Sequence, residues 1–238
     1  MRSTQNGFTL VEIAIVLVII GLLLGGVLKG QELINSAKAK SLVNDFRTIS
    51  TAVYAYQDRF RFMPGDDPAA TQHVAGANAS SPSGEARGNG RIGGNWNSTT
   101  ATDESFLVWQ HLRRANLLTG TSDTSDTSAT SNYYPRNADN GRIGITGAVP
   151  ISVGTTSATS SSSASVVMTG AFFICSDGIS ARLARQVDST MDDGATNTGN
   201  VRAMAQVSGA GAASGTAIEI TPDLERNSSD LYTVCVAY

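Results

Sequence analysis

The run from Phe8 to Leu28, FTLVEIAIVLVIIGLLLGGVL, carries a single ionisable side chain, Glu12. As a helix rising about 1.5 Å per residue it is roughly 31 Å long, the thickness of a bilayer's hydrocarbon core. A segment that long and that apolar has two destinations, a membrane or a bundle of similar helices. A carboxylate inside it costs on the order of 2.5–3.5 kcal/mol without a partner, so Glu12 either faces one or lies near the interface at a helix end. A secretory signal peptide fits poorly. Its apolar core is shorter and ends in a small-x-small cleavage site, whereas here helix-forming sequence simply continues.

Beyond the apolar run, Leu42, Phe46, Ile49, Val53, Tyr56 and Phe60 recur at steps of four and three, a one-sided stripe. Pro64-Gly65 supplies the stop. The spacing predicts one helix from Phe8 to Arg61, roughly 80 Å long. Its first half suits lipid or other copies of itself, and its second half needs a covering domain. Gly21, Gly25, Gly26 and Gly30 weaken the rod by up to about 1 kcal/mol each relative to Ala, and serve close helix packing or local unwinding. Lys29, Lys38 and Lys40 follow the run. They neutralise lipid headgroups, pair with acids on neighbouring subunits, or only solvate a helix face. With Arg2 before the run and Lys29 after it, the positive-inside bias is weak.

The string Gly7-Phe8-Thr9-Leu10-Val11-Glu12, followed by this run, resembles the N-terminus of type IV prepilins and of the pseudopilins of type II secretion. The resemblance implies a leader, residues 1–7, cut from the chain between Gly7 and Phe8 by a prepilin peptidase and methyltransferase that also N-methylates Phe8. It implies the pilin fold, an α+β architecture in which the outer half of a long N-terminal α-helix packs against a C-terminal antiparallel β-sheet head. Residues 8–28 would be the transmembrane and filament-core half of the helix, 29–62 its amphipathic half, and 63–238 the globular head. Before assembly the precursor would cross the bacterial inner membrane once, in contact with lipid, with the leader in the cytoplasm and the head outside. Its partners would be other pilins in a homo-oligomeric filament and an inner-membrane assembly platform. Glu12 then acquires a partner: the Phe8 amine of an adjacent, axially offset subunit, which exists only after cleavage. The function implied is a structural subunit of an extracellular type IV pilus, serving adhesion, twitching motility or DNA uptake. The alternative is a pseudopilin acting in protein export through a periplasmic pseudopilus.

The head opens with loop-like sequence over 63–102, including PGDDP at 64–68 and GNGRIGG at 88–94. The second string lacks the Gly-Lys-Ser/Thr ending of a phosphate loop. A short helix is expected over 103–118, starting near Glu104 with Thr102 or Asp103 as N-cap and Gly120 as its stop. PGDD, the glycine-rich stretch and the WQHL helix together resemble heads of a subgroup of environmental bacterial pilins. The stretches 120–132 and 152–165 are dominated by Ser and Thr and cannot bury a core, so they read as flexible surface loops, with O-glycosylation as the functional alternative. Over 166–238, Val166–Cys175, Val201–Val207, Ala217–Thr221 and Leu231–Ala237 read as strands. Between the first two, Ile179, Leu183, Val187 and Met191 mark a helix capped by Ser176 or Asp177 and stopped by Gly194.

Cys175 and Cys235 have no CxxC spacing and no clustered histidine, which argues against zinc or redox chemistry. In an exported head they read as one disulfide, with two buried free thiols as the alternative. Asp188, Asp192, Asp193 and Asn197 offer oxygen ligands of the kind calcium takes, and some pseudopilins hold calcium in their heads. Their spacing does not fit an EF-hand, and Asp-Asp-Gly closing a helix accounts for them better. Only His73 and His111 are present, in no nucleophile motif, so neither an enzyme nor a cofactor beyond calcium is expected. With 16% charged residues and net charge −3, no nucleic-acid-binding surface is evident.

Overall fold

The computed structural model of the protein describes residues 10–80, 86–152, 167–206, 214–227 and 229–238. Helix α1 runs Leu10–Phe60. It stops one residue before Arg61, which adopts a left-handed conformation at φ 64° while its N–H still reaches the Gln57 carbonyl at 2.8 Å. The turn is thus made by a non-glycine residue ahead of Pro64-Gly65.

The chain divides into two compact units, Met1–Lys38 and Ala39–Tyr238. The first, described from Leu10, is helix alone. Leu10, Ile15, Leu22, Leu28 and Leu33 are all more than half exposed. A Cβ added at Gly21, Gly25, Gly26 or Gly30 would meet nothing within 4 Å. Contiguous apolar surface on this scale marks a segment that meets lipid or protein. Lys29 and Glu32 pair at 2.7 Å one turn apart.

The second unit holds the outer half of α1, α2 (Ala70–Val74), α3 (Glu104–Arg114), α4 (Ala181–Met191) and α5 (Pro222–Asn227). Its strands are β1 (Ile143–Thr146), β2 (Ile151–Ser152), β3 (Phe173–Ser180), β4 (Val201–Ala205), β5 (Gly215–Thr216) and β6 (Leu231–Ala237). Strands β1-β3-β6-β4 form an antiparallel sheet in that order, and β2 pairs β5 in a short parallel ribbon. Alternation along the strands separates two apolar layers. Ile143, Ile145, Ile174, Val201, Ala203, Val234 and Val236 join Leu42, Phe46, Ile49, Val53 and Tyr56 of α1 and Phe106, Trp109 and Leu112 of α3 in the main core. The opposite side chains, Phe173, Cys175, Met204 and Cys235, form a smaller layer with Trp96, Ile151 and Met168. Each large side chain so buried stabilises the head by roughly 1.5–3 kcal/mol. Both faces of the sheet are therefore covered. Gly144 sits directly opposite Cys175, and the Trp96 carbonyl occupies the space that a Cβ at Gly144 would fill. Only glycine lets that loop lie so close on the strand.

Several sequence-based boundaries move. Helix α3 ends at Arg114 rather than Leu118, because Asn116 takes a left-handed conformation at φ 60°, four residues ahead of Gly120. Asp103 occupies its N-cap position without a side-chain cap bond. Helix α4 is capped by Ser180, whose hydroxyl accepts from the Leu183 N–H at 3.4 Å, rather than by Ser176 or Asp177. Those two residues, with Ile179, belong to β3, which bulges between Ser176 and Ile179. The strand expected at Val166–Cys175 is displaced to Phe173–Ser180, and that at Val201–Val207 is described to Ala205. The strand expected over Ala217–Thr221 is only Gly215–Thr216. Leu231–Ala237 is a strand as read. The sheet also reaches outside 166–238, since β1 forms its edge, and β2 takes in Ser152. The rest of the Ser/Thr stretch after Ser152 lies outside the described residues. The stretch 120–132 is exposed but tied down. Asp123 and Asp126 each accept the N–H two residues on at 3.0 Å, and Arg113 donates to the Thr119, Thr121 and Tyr133 carbonyls.

Candidate functional site

Glu12 lies in the first turn of α1, within the exposed apolar half of the rod. Acidic groups are favoured at that end of a helix by the orphan N–H groups and the dipole. Gly7 and Phe8 lie outside the described residues. Leu10, Val11 and Ile13, the large aliphatic residues around Glu12, are exposed.

The head has its own group of buried acids, which the sequence presented only as turns. Gly65, at φ 91°, lies so close to the Glu104 carbonyl of α3 that no side chain fits. Asp66 and Asp67 are fully buried behind it. Asp66 accepts the N–H groups of Gly88, Asn89 and Gly90 at 2.5, 3.3 and 2.7 Å, drawing the glycine-rich loop over itself. Burial raises its pKa against those three bonds and a side-chain hydrogen bond with Glu104. Asp67 takes the Tyr56 hydroxyl and His73 Nδ1, each at 2.7 Å, and the Ala69 N–H at 2.8 Å. Burial alone would raise its pKa, but the bonds from His73, Tyr56 and Ala69 outweigh it and the carboxylate stays ionised more readily than usual. His111 accepts the Gly65 N–H on Nδ1 at 2.9 Å, which leaves Nε2 to donate to the Ala77 carbonyl at 2.7 Å. Burial lowers its pKa. His73 thus ties the PGDD segment to α2 and His111 ties it to α3, and among the described residues neither ring bonds a hydroxyl or thiol.

Asp188, Asp192 and Asp193 lie at the end of α4 but serve separate loops. Asp192 accepts the Asn200 and Val201 N–H groups at 2.5 and 3.0 Å. Asp193 accepts the Ala195 N–H and the Thr198 hydroxyl, both at 2.9 Å. No group of three or more His, Cys, Asp or Glu among the described residues is placed to hold a metal ion. Asp188 is different in kind. It is wholly buried and neither oxygen has a hydrogen-bond partner. Burial lifts its pKa to about 6; the Gly194 N–H, short of a full hydrogen bond, opposes the rise slightly, and Asp193 and Asp192 add to it. The unfolded value is near 3.8, so the folded head binds the extra proton between about pH 4 and 6. Stability is full below pH 4 and is lost as pH rises through 6, by about 3 kcal/mol at two pKa units. Asp188→Asn mimics the protonated form. It is expected to stabilise the head by about 2 kcal/mol at pH 7.5 and to make no difference at pH 4. Denaturant midpoints of the full chain in detergent at the two pH values measure this, and an equal difference at both would refute it.

Cys175 and Cys235 are joined in a disulfide, opposite each other on β3 and β6. At the other end of the chain, residues 2–28 match the family model described as the prokaryotic N-terminal methylation motif. This is the cleavage and methylation segment of type IV pilins and pseudopilins, and here it is followed by a long helix and an antiparallel sheet, a pilin-like architecture. No curated protein and no solved structure matches the chain.

Proposed function

We propose that this chain is a structural subunit of an extracellular type IV pilus. A prepilin peptidase cuts it between Gly7 and Phe8, Phe8 is N-methylated, and an inner-membrane platform polymerises it through α1 for adhesion, motility or DNA uptake. The observation that carries the reading is the methylation motif continuing into a helix whose large aliphatic side chains are exposed. Before assembly that surface suits a bilayer; afterwards it suits the same surface of other copies. Glu12 supplies the register. Paired with the Phe8 amine of an offset neighbour, each charge offsets the other's desolvation, and a misplaced subunit leaves a charge buried. The head supports the exposed-fibre form of the reading. Its sheet is covered on both faces and stapled by a disulfide, and its Ser/Thr stretch at 120–132 is held outward.

Mass spectrometry of protein sheared from the cell surface tests this directly. The expected product is a chain beginning at Phe8 and carrying one methyl group. Recovery of the Met1 form, or retention of the processed chain in the periplasm with nothing in the sheared fraction, would overturn the surface-fibre reading. The second of those results would point to a pseudopilus.

A further inference from the structure

Asp45 lies on the outer half of α1 in a cleft of about 400 Å³ whose walls include Thr48, Ile49, Leu118, Tyr134 and Arg136. Its carboxylate is half-buried, and burial raises its pKa with no neighbouring charge to offset the effect. Cations of the head do line the cleft, but they are occupied elsewhere. Arg113 donates to the Thr119, Thr121 and Tyr133 carbonyls, and Arg136 to the Ala129 and Asn140 carbonyls at 2.8 and 3.2 Å. Among the described residues Asp45 makes no hydrogen bond or ion pair. A carboxylate in such a cleft is complementary to an ammonium or guanidinium group from outside.

The same rod carries a matching cation. The lysines of the chain are Lys29, Lys38 and Lys40. Lys29 is paired with Glu32. Lys40 is exposed and makes no hydrogen bond or ion pair among the described residues. Five residues separate Lys40 from Asp45, which turns them about 140° apart around the helix, so they cannot meet within one chain. We propose that the cleft at Asp45 receives the Lys40 ammonium of an adjacent copy of this chain, as a second intersubunit ion pair on the rod. The inference rests on the pilus reading and refines it. A copy displaced by about four residues, or ~6 Å, along the helix brings its Lys40 level with Asn44 of its neighbour, one residue from Asp45 and within reach of a lysine side chain. Because donor and acceptor lie on different faces, the contact is heterologous and propagates as an open helical array rather than closing a dimer.

Charge exchange in the full-length chain, expressed in cells and read as sheared-fibre yield, tests the pair. Asp45→Lys and Lys40→Glu are each expected to lower yield on the order of tenfold, and the double variant to recover to within about twofold of the starting protein. Asp45→Asn, a milder change, is expected to lose several-fold while the melting temperature of the unassembled chain is unchanged. A chain carrying Lys40→Cys and Asp45→Cys together is expected to form a ladder of cross-linked copies in fibres. Full yield from Asp45→Lys, a double variant no better than the single ones, or no ladder would each overturn the pair. Glu12→Ala separates the two ideas. If it assembles poorly while Asp45→Lys assembles normally, only the Lys40–Asp45 pair falls; if Glu12→Ala assembles normally, the register reading falls.

Discussion

Replacing Glu12 by alanine is expected to leave membrane insertion and Gly7–Phe8 cleavage intact and to cut the yield of sheared fibres by about two to three orders of magnitude. Insertion and assembly pull in opposite directions at this position. Removing a carboxylate makes the apolar run from Phe8 to Leu28 more lipophilic, by on the order of 2.5–3.5 kcal/mol on insertion scales, so the precursor enters the bilayer at least as well. Assembly loses instead. Truncating one member of a buried ion pair costs about 3–5 kcal/mol, because the Phe8 ammonium is left in apolar surroundings without compensation. Divided by about 1.4 kcal/mol per factor of ten, that is a loss of 10²–10³ in the equilibrium for adding a subunit. Methylation of Phe8 preserves the positive charge, so it should not rescue the variant. The informative measurement compares membrane content, N-terminal mass and sheared yield in the same cells. A processed, membrane-resident Glu12→Ala chain with few fibres is the expected pattern. Normal fibres would mean that Glu12 is only tolerated near the end of the helix.

The long helix, the N-terminal methylation motif and strand β6 were legible in the sequence because each is written in local pattern. The stripe from Leu42 to Tyr56 has helical period and is buried as a stripe, and Leu231–Ala237 alternates between the two core layers. What was not legible depends on contacts distant in sequence. Asp66 and Asp67 read as polar turn residues, and nothing local says that Gly88–Gly90 and Tyr56 will close over them. Ile143–Thr146 is too short, and too interrupted by Gly144, to stand out as a strand. It becomes one because β3 pairs it and Trp96 fills the gap above the glycine. Ser176 and Asp177 looked like helix caps for the same reason. The bulge in β3 carries the strand on to Ser180 before the helix begins, and a bulge is specified by its partner strand. Asp188 offers an oxygen ligand in the sequence, beside an Asp-Asp-Gly that closes a helix, and nothing local says that α4 buries it with neither oxygen hydrogen-bonded.

Removing the disulfide, by replacing both Cys175 and Cys235 with alanine, is expected to destabilise the head by about 4 kcal/mol, the chain-entropy value for a loop of this size. The loop closed spans 60 residues and contains α4, β4, β5 and α5. For a head of this size that corresponds to a fall in melting temperature of roughly 10 °C. Topology adds to the weight of the bond. Strand β6 follows the other strands in sequence, yet it lies between β3 and β4 in the sheet. The sheet cannot be completed until β6 inserts, and such non-local pairing forms late and at high entropic cost. The bridge lies in the row Gly144, Cys175, Cys235, Arg202, which crosses all four strands. It therefore fixes β6 at the centre of the sheet rather than at a fraying end. Both sulfur-bearing residues are fully buried beneath Trp96, Met168 and Met204, so reductant reaches them only when that layer opens. The head should consequently resist reduction when folded and lose the bond readily in denaturant. Thermal melts of the oxidised protein, the double alanine variant and the protein reduced in denaturant and refolded under reducing conditions test the argument together. The last two should melt together, well below the first. A double variant that melts with the oxidised protein would show that strand pairing and the two core layers hold β6 without the bond.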